Sequence, residues 1–277
     1  MIAFAFALLF ATQQIPPAIY TDPPHDAAHP AQMLVLHIPS GGVSINGVAY
    51  LAAGAGAHPT LVLLHGLPGN EKNLDLAQAV RRAGWNAITF NYRGSWGSPG
   101  SFRFAQSLHD ADAVLADVRA NAAKLGVDTS RIVIAGHSMG GWVTAMTAGH
   151  DRNLRGVILL SAANMGGRGG NRAKLVEVMR DNMESLANVT AESMADELIA
   201  NAKAFDWSSA VPGLAKAPLL VLTADDGLAP QDNALADAVK KAGDSRVTVV
   251  HAATDHSWSD RRIELESDVI RWLEQLR

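Results

Sequence analysis

The chain has 277 residues, of which 48% are hydrophobic and 18% charged, and this balance excludes a disordered or fibrous protein. Its net charge of −4 comes from interspersed charges of both signs, with no basic stripe, so we expect no nucleic-acid partner. The absence of cysteine excludes disulfides, thiolate metal sites and a cysteine nucleophile, but it fits either a reducing or an oxidising compartment.

Residues 1–14 contain an apolar run, Ile2 to Phe10, which is too short for a membrane span of ~20 residues and suits the core of a signal peptide. We therefore predict a signal peptide, export to the periplasm or the medium, and no stable membrane span. No Lys or Arg precedes the run, and no clear small-x-small cleavage site follows near Ala11. A lipid-edge anchor or a mis-assigned start codon are the alternatives, and a protein without a signal peptide would be cytoplasmic.

Residues 15–32 are rich in proline, which blocks helix and ladder hydrogen bonds, and predict an extended linker. His25 and His29 are four residues apart, but the prolines around them forbid the helix that would place both on one face. The pair therefore predicts no metal site.

A regular α/β pattern starts at Met33. MLVLHIP and VSINGVAYL, joined by Ser40-Gly41-Gly42, predict an opening hairpin. Short apolar runs then alternate with helical patterns, which predict helices over residues 72–83, 105–125, 139–148, 232–242 and 260–275. The apolar runs predict strands TLVLLHG, NAITFNYRG, RIVIAGHS, LRGVILLSA, PLLVLTADD and RVTVVHAAT. This alternation predicts a mostly parallel sheet with helices on both faces and ligands at the carboxyl ends of the strands.

The interval from about residue 165 to residue 216 is too long for a simple crossover. It holds the stretches KLVEVMRDNMESLA and AESMADELIANAKAF after a glycine-rich entry. We predict a helical insertion that acts as a lid before the next strand, with Met179 and Met183 as candidate substrate-binding residues. The alternative is that its apolar faces only dock on the rim of the sheet.

The stretch RIVIAGHSMGGWVTAMTAGH places a serine between glycines, at the junction of a predicted strand and a predicted helix. Gly-x-Ser-x-Gly in this setting allows a sharp, strained turn that exposes the serine oxygen at the top of the sheet. The helix N-terminus also favours developing negative charge. Ser138 is thus a candidate nucleophile, and the alternative is a simple N-cap serine.

Five segments in this order, LLHGLPGN, NYRGSWGSPG, GHSMGG, TADDGLAP and TDHSWSD, resemble the α/β-hydrolase family, over Met33 to Arg277. Serine esterases and the catalytic domains of prolyl-oligopeptidase-like peptidases are the most similar members. The resemblance implies the α/β-hydrolase fold and a serine, acid and histidine triad. No P-loop, dinucleotide motif or His-Glu-x-x-His sequence is present, and we expect no cofactor and no metal.

The resemblance assigns His256 as the base, in the position after RVTVV that the family uses, with His251 as the rival. Asp226, four residues before Pro230, matches the acid, while Asp225 is the alternative and Asp206 a weaker one. The acid holds the histidine tautomer and stabilises its cation.

The backbone N–H groups of Met139, which follows the nucleophile, and of Leu67, which follows His65-Gly66, would form the oxyanion hole. His65 and His137 are expected to have structural roles. Tyr92 and Arg93 are candidates for bordering the pocket, although Arg93 could instead tie its loop through carbonyl hydrogen bonds.

The sequence therefore predicts a serine hydrolase that cleaves small-molecule carboxylic esters through an acyl-enzyme. A haloalkane or epoxide hydrolase of this fold would need a carboxylate at position 138. The alternatives are a serine peptidase of the prolyl-oligopeptidase type, which uses the same groups, and a non-catalytic ligand-binding homologue. The sequence does not set the oligomeric state.

Overall fold

The computed structural model of the protein describes residues 14–168, 170–243 and 246–277. The apolar run predicted as a signal peptide lies outside these residues. None of the described helices is long and apolar enough to cross a membrane.

The centre of the fold is one sheet of eight strands in the order β1-β2-β4-β3-β5-β6-β7-β8. The pairs β1·β2 and β2·β4 are antiparallel, and β1 and β2 form the predicted hairpin. All other neighbouring strands in the sheet are parallel. The strands are β1 Gln32–Ser40, β2 Val43–Leu51, β3 His58–Leu64, β4 Asn86–Phe90, β5 Val127–His137, β6 Gly156–Leu160, β7 Leu219–Thr223 and β8 Val247–His251.

Nine α-helices are formed by the described residues: α1 Leu74–Arg82, α2 Phe104–Ala120, α3 Ala122–Leu125, α4 Met139–Ala148, α5 Arg172–Arg180, α6 Ala191–Ala200, α7 Val211–Leu214, α8 Ala229–Lys241 and α9 Arg262–Glu274. The helix predicted over 105–125 is divided at Asn121, where the backbone leaves helical geometry. The first predicted helix of the insertion ends at Arg180, so Met183 lies in the turns that follow it.

The buried apolar side chains form two clusters, one on each face of the sheet. Side chains of α1 and α9 fill one cluster, and side chains of α2, α4 and α8 contribute to the other. The five-residue strands β4, β6 and β7 are buried along their whole length, as expected for strands covered by helices on both faces, although β4 includes the buried polar residues Asn86 and Thr89 and β7 ends in Thr223. The predicted fold class, a mostly parallel sheet covered by helices on both faces, is confirmed.

The proline-rich segment before β1 differs from the extended linker predicted for residues 15–32. It begins with a 3-10 turn at Pro17–Ile19. Arg82 of α1 donates hydrogen bonds from Nε to the carbonyl oxygen of Ala18 at 2.5 Å and from a terminal nitrogen to that of Ile19 at 3.0 Å. This turn is docked on the domain because its carbonyl groups accept hydrogen bonds from a half-buried arginine, a contact that proline spacing does not reveal.

The chain between β6 and β7 contains α5, α6, a 3-10 turn at Trp207–Ala210 and α7. Its residues 185–187 pair with the loop after β4 through main-chain hydrogen bonds. Trp96 N–H donates to Ser185 O at 3.0 Å, and Ala187 N–H donates to Gly94 O at 2.7 Å. The insertion is thus attached to a loop that leaves the carboxyl edge of the sheet.

Candidate active site

Ser138 occupies a sharp turn between β5 and α4. Its φ of 56° and ψ of −122° are strained values for a residue with a side chain. A Cβ at Gly140 would overlap the carbonyl oxygens of Leu64 and His65, and one at Gly136 would overlap the main chain of Gly140. The glycines are required because the strand and the helix approach each other so closely here.

The side chain of Ser138 is not used as a helix cap. It accepts no hydrogen bond from the first turn of α4, all of which lies in the described part of the chain. The residue is half-buried. An N-cap role therefore does not account for this serine, and its hydroxyl remains available at the carboxyl end of β5.

His256 forms a short contact with the buried carboxylate of Asp226. His256 Nδ1 lies 2.7 Å from Asp226 Oδ2, and only 4% of the Asp226 side chain is exposed. The other oxygen, Oδ1, accepts the Leu228 N–H at 2.9 Å, which fixes the carboxylate within its loop. The arrangement leaves Nε2 as the imidazole nitrogen that can exchange a proton with a hydroxyl group.

His251 and Asp225, the alternatives to His256 and Asp226, pair with each other. Asp225 Oδ1 lies 3.2 Å from His251 Nε2, and the side chain of Asp225 is 64% exposed. Asp206 instead caps the 3-10 turn at Trp207–Ala210 by accepting the Ser208 N–H. None of these three side chains is paired with His256.

His137 connects the nucleophile turn to the histidine loop. Its Nε2 lies 2.8 Å from the main-chain oxygen of His256, and the two rings are 4.6 Å apart. Burial lowers the pKa of His137 to about 4, with a smaller electrostatic contribution from the neighbouring imidazole. His137 is therefore neutral at neutral pH and donates its Nε2–H to the His256 carbonyl, which holds that loop beside Ser138.

The loop after β3 rests against the nucleophile. A Cβ at Gly66 would lie only 2.8 Å from the Cβ of Ser138, so the chain leading to Leu67 passes directly beside the serine. Met139 is the first residue of α4, where main-chain N–H groups lack helical partners. His65 Nδ1 lies 2.8 Å from the Gly66 carbonyl oxygen, and burial lowers the pKa of His65 to about 4, so this loop carries a neutral histidine.

The structure does not bring Tyr92 and Arg93 to the site as groups that face a substrate. Tyr92 is fully buried, and its hydroxyl donates to the His65 carbonyl at 3.3 Å. Arg93 Nε donates to Asp110 Oδ1 at 2.6 Å, and its main-chain N–H donates to Asp110 Oδ2 at 2.9 Å. Both side chains brace the loops around the site, because a buried guanidinium and a buried carboxylate require each other as partners.

Met179 and Met183 differ in their surroundings. Met179, on α5, is buried in the hydrophobic core, and its role as a substrate contact stays a prediction. Met183 is half-buried and lies two residues before Ser185, whose Oγ donates to the Pro68 carbonyl at 3.1 Å. Met183 therefore lies close along the chain to a residue that is hydrogen-bonded to the loop of Leu67.

Two residues beside the site, Trp96 and Asp232, were given no role from the sequence, although Trp96 lies within the segment NYRGSWGSPG. Trp96 Nε1 donates to the Pro68 carbonyl at 2.7 Å, next to Leu67. Asp232 is fully buried in the first turn of α8, and burial raises its pKa to about 8, with a further contribution from Asp226.

Among residues 14–168, 170–243 and 246–277, no group of three or more His, Asp and Glu side chains could hold a metal ion.

Comparison with known proteins supports the fold. Residues 61–268 match the model of the Alpha/beta hydrolase family. EstE1, a thermostable carboxylesterase from a metagenomic library, superposes with a TM-score of 0.66 at 24% identity, covering 88% of this chain and 90% of that one. A hyperthermophilic esterase from the archaeon Pyrobaculum calidifontis gives 0.68 at 20% identity, with coverages of 90% and 87%.

An acylaminoacyl peptidase from Pyrococcus horikoshii superposes with a TM-score of 0.67 at 15% identity, covering 88% of this chain and 41% of that one. No curated protein matches the sequence significantly. At these identities, the structural similarities establish the fold.

Proposed function

The chain belongs to the alpha/beta hydrolase family, and from this premise we propose that it is a serine hydrolase that cleaves small-molecule carboxylic esters through an acyl-enzyme on Ser138. The observation that carries the proposal is the 2.7 Å contact between His256 Nδ1 and Asp226 Oδ2, in a loop that His137 holds beside Ser138. A free serine hydroxyl is a weak nucleophile at neutral pH and requires such a base.

In the proposed reaction, Ser138 Oγ attacks the ester carbonyl carbon while His256 Nε2 takes the hydroxyl proton. Asp226 stabilises the resulting imidazolium through Nδ1 and keeps the ring in the required tautomer. The carbon–oxygen bond to the alcohol then breaks, and His256 returns the proton to the leaving oxygen. A water molecule, activated by the same imidazole, releases the acid from the acyl-enzyme.

The negative charge on the tetrahedral oxygen would be held by the main-chain N–H groups of Leu67 and Met139. Losing one such donor typically lowers turnover by about 10²–10³-fold. Close packing of Gly66 on Ser138 supports this assignment, since it brings the Leu67 loop to the serine. The position of Met139 at the start of α4 adds the positive end of a helix dipole.

Ester cleavage and amide cleavage use the same constellation, so the substrate class is tested directly. The purified protein is assayed with p-nitrophenyl acetate, butyrate and octanoate and, in parallel, with aminoacyl p-nitroanilides. We expect turnover of the esters at rates well above those of the anilides, and loss of turnover in Ser138→Ala with its thermal unfolding unchanged. Preferential cleavage of the anilides would make the protein a peptidase, and an active Ser138→Ala variant would refute the nucleophile.

A further inference from the structure

A buried turn at the end of β6 contacts all three segments that carry the proposed triad. It consists of Ser161, Ala162 and Ala163, which follow β6 directly and are all buried. We call these three residues the β6 turn. In the sheet, β6 lies between β5, which leads to Ser138, and β7, which leads to Asp226.

The first contact is with the nucleophile. Ser138 N–H donates to the carbonyl oxygen of Leu160, the last residue of β6, at 3.0 Å, and Ala163 N–H donates to the Ser138 carbonyl at 3.0 Å. Both main-chain polar groups of Ser138 are thus bonded to the end of β6 and its turn. Gly141 of α4 packs on Ala162 so closely that any side chain at position 141 would overlap Ala162.

The second contact is with the helix that follows the acid. Ala162 N–H donates to Asp232 Oδ2 at 3.1 Å, and Gln231 Nε2 donates to the Ala162 carbonyl at 3.1 Å. Asp232 N–H in turn bonds to Leu228 O, and Leu228 N–H bonds to Asp226 Oδ1. The peptide groups of the β6 turn and the acid loop are therefore joined through a short series of hydrogen bonds.

The third contact is with the histidine loop. Trp258 follows His256 by two residues, is fully buried, and donates from Nε1 to Ser161 Oγ at 3.1 Å. Ser161 and Trp258 both adopt a positive φ, 42° and 60°, in which a residue with a side chain is strained unless its surroundings hold it. The side-chain hydrogen bond joins these two strained positions.

We infer that the β6 turn sets the relative positions of Ser138, Asp226 and His256, with Ser161, Asp232 and Trp258 as positioning residues for the proposed hydrolysis. This inference rests on the proposed function. Proton transfer between Ser138 and His256 depends on their separation, and displacements of about 1 Å can cost 10²-fold in rate. The turn reaches each triad segment through main-chain or neighbouring groups, and its substitution should alter catalysis without changing a substrate-binding surface.

Ser161→Ala tests the inference, because it deletes the acceptor of Trp258 and leaves the rest of the turn in place. We expect kcat for p-nitrophenyl butyrate to fall about tenfold or more while KM stays within about twofold, since a loosened His256 loop impairs proton transfer and leaves binding intact. Ser107→Ala is the matched control. Ser107, in α2, is also buried, and its hydroxyl donates to the carbonyl oxygen of Arg103, the N-cap residue of that helix. For Ser107→Ala we expect a loss of thermal stability similar to that of Ser161→Ala, with kcat unchanged.

Variants at Trp258 and Asp232 test the hydrogen bonds themselves. Trp258→Phe removes the donor, and the double variant with Ser161→Ala should be no slower than the slower single variant, because both lose one shared bond. Asp232→Leu removes the acceptor of Ala162 N–H and should lower kcat, whereas Asp232→Asn keeps an oxygen acceptor and should restore most of it.

The outcomes separate this inference from the proposed function. If the wild type hydrolyses the ester, Ser138→Ala does not, and a folded Ser161→Ala keeps full kcat, the proposed function stands and the inference is overturned. A changed KM with unchanged kcat would also overturn it, because the turn would then shape the pocket. A wild type that hydrolyses no ester would overturn both.

Discussion

His256 Nδ1 lies 2.7 Å from Asp226 Oδ2, whereas the adjacent Asp225 is directed to His251. The first pair includes a carboxylate that is almost fully buried, and the second is exposed. An exposed pair contributes only about 0–1 kcal/mol and orders its partner weakly. A buried carboxylate beside an imidazole instead fixes the ring and stabilises its cation, so consecutive aspartates should have different effects on catalysis.

Asp226→Asn should lower kcat by up to about 10⁴-fold, because the amide no longer holds the imidazole tautomer that accepts the serine proton. Asp225→Asn is the matched control and should remain within about threefold of the wild type, since its exposed pair with His251 contributes little. Steady-state assays on p-nitrophenyl butyrate measure both. The opposite ranking of the two variants would assign the acid to Asp225.

Arg93 should contribute to stability rather than to substrate binding. Arg93→Met leaves the buried carboxylate of Asp110 without its cation, and the free energy of unfolding should fall by about 3–5 kcal/mol. KM of the folded variant should be unchanged. Urea unfolding and ester kinetics at low temperature test the two parts separately.

The control for this prediction is Arg172→Met. Arg172 pairs with Asp196 in an exposed ion pair, and its loss should lower the free energy of unfolding far less than the loss of Arg93 does. A raised KM in Arg93→Met, with stability equal to that of the control, would identify Arg93 as a substrate ligand and contradict the structural role.

The buried Asp232 predicts a pH-dependent stability difference. Its pKa is raised from 3.8 to about 8 in the folded protein, so between these values the unfolded chain loses a proton that the folded chain keeps. The free energy of unfolding therefore falls as pH rises through this window, by at most about 1.4 kcal/mol per pH unit. Asp232→Asn has no carboxyl group that titrates at this position. Its free energy of unfolding should therefore rise relative to that of the wild type as the pH increases from 5 to 7.5.

Urea unfolding of both proteins at the two pH values measures this difference, and comparing them cancels other groups that titrate alike in both, including Glu266, whose pKa burial raises to about 7. A difference that is the same at both pH values would mean that Asp232 is ionised in the folded protein.

Met183 is predicted to select the acyl group, because it is half-buried beside the segment bonded to the Leu67 loop. Met183→Gln should shift the ratio of kcat/KM between butyrate and octanoate esters by about tenfold, as one methylene in such a pocket is worth ~1–3 kcal/mol. Met33→Gln, on the exposed face of β1, is the control. An unchanged ratio in a stable Met183→Gln variant would leave the insertion without a role in specificity.

Local sequence signals predicted the strands, the turn at Ser138 and the position of its loops, because each is encoded within a few residues. The choice between Asp225 and Asp226 could not be made from the chain with the same force, since both follow β7 directly and only the surrounding loops determine which carboxylate is buried. The sequence also could not predict where the side chains of Tyr92 and Arg93 point, because their partners, His65 and Asp110, lie on other elements.

The β6 turn had no sequence signal at all. Ser161 and Trp258 are 97 residues apart, and Ala162 and Asp232 are 70 apart; Trp258 lies in the segment TDHSWSD, but nothing in that segment indicates its partner. Contacts of this kind depend on how three loops meet at one edge of the sheet, and they become visible only in the folded chain.

The acyl-enzyme on Ser138 is tested most directly by mass spectrometry after reaction with a p-nitrophenyl alkylphosphonate, which forms a stable bond to an activated serine and releases p-nitrophenol. Trypsin should excise residues 132–152 as one peptide, in which Ser138 is the only serine. We predict one phosphonate per chain, located at Ser138, with labelling strongly slowed in His256→Gln. A phosphonate on a different residue, or an unlabelled protein that still hydrolyses esters, would contradict the account.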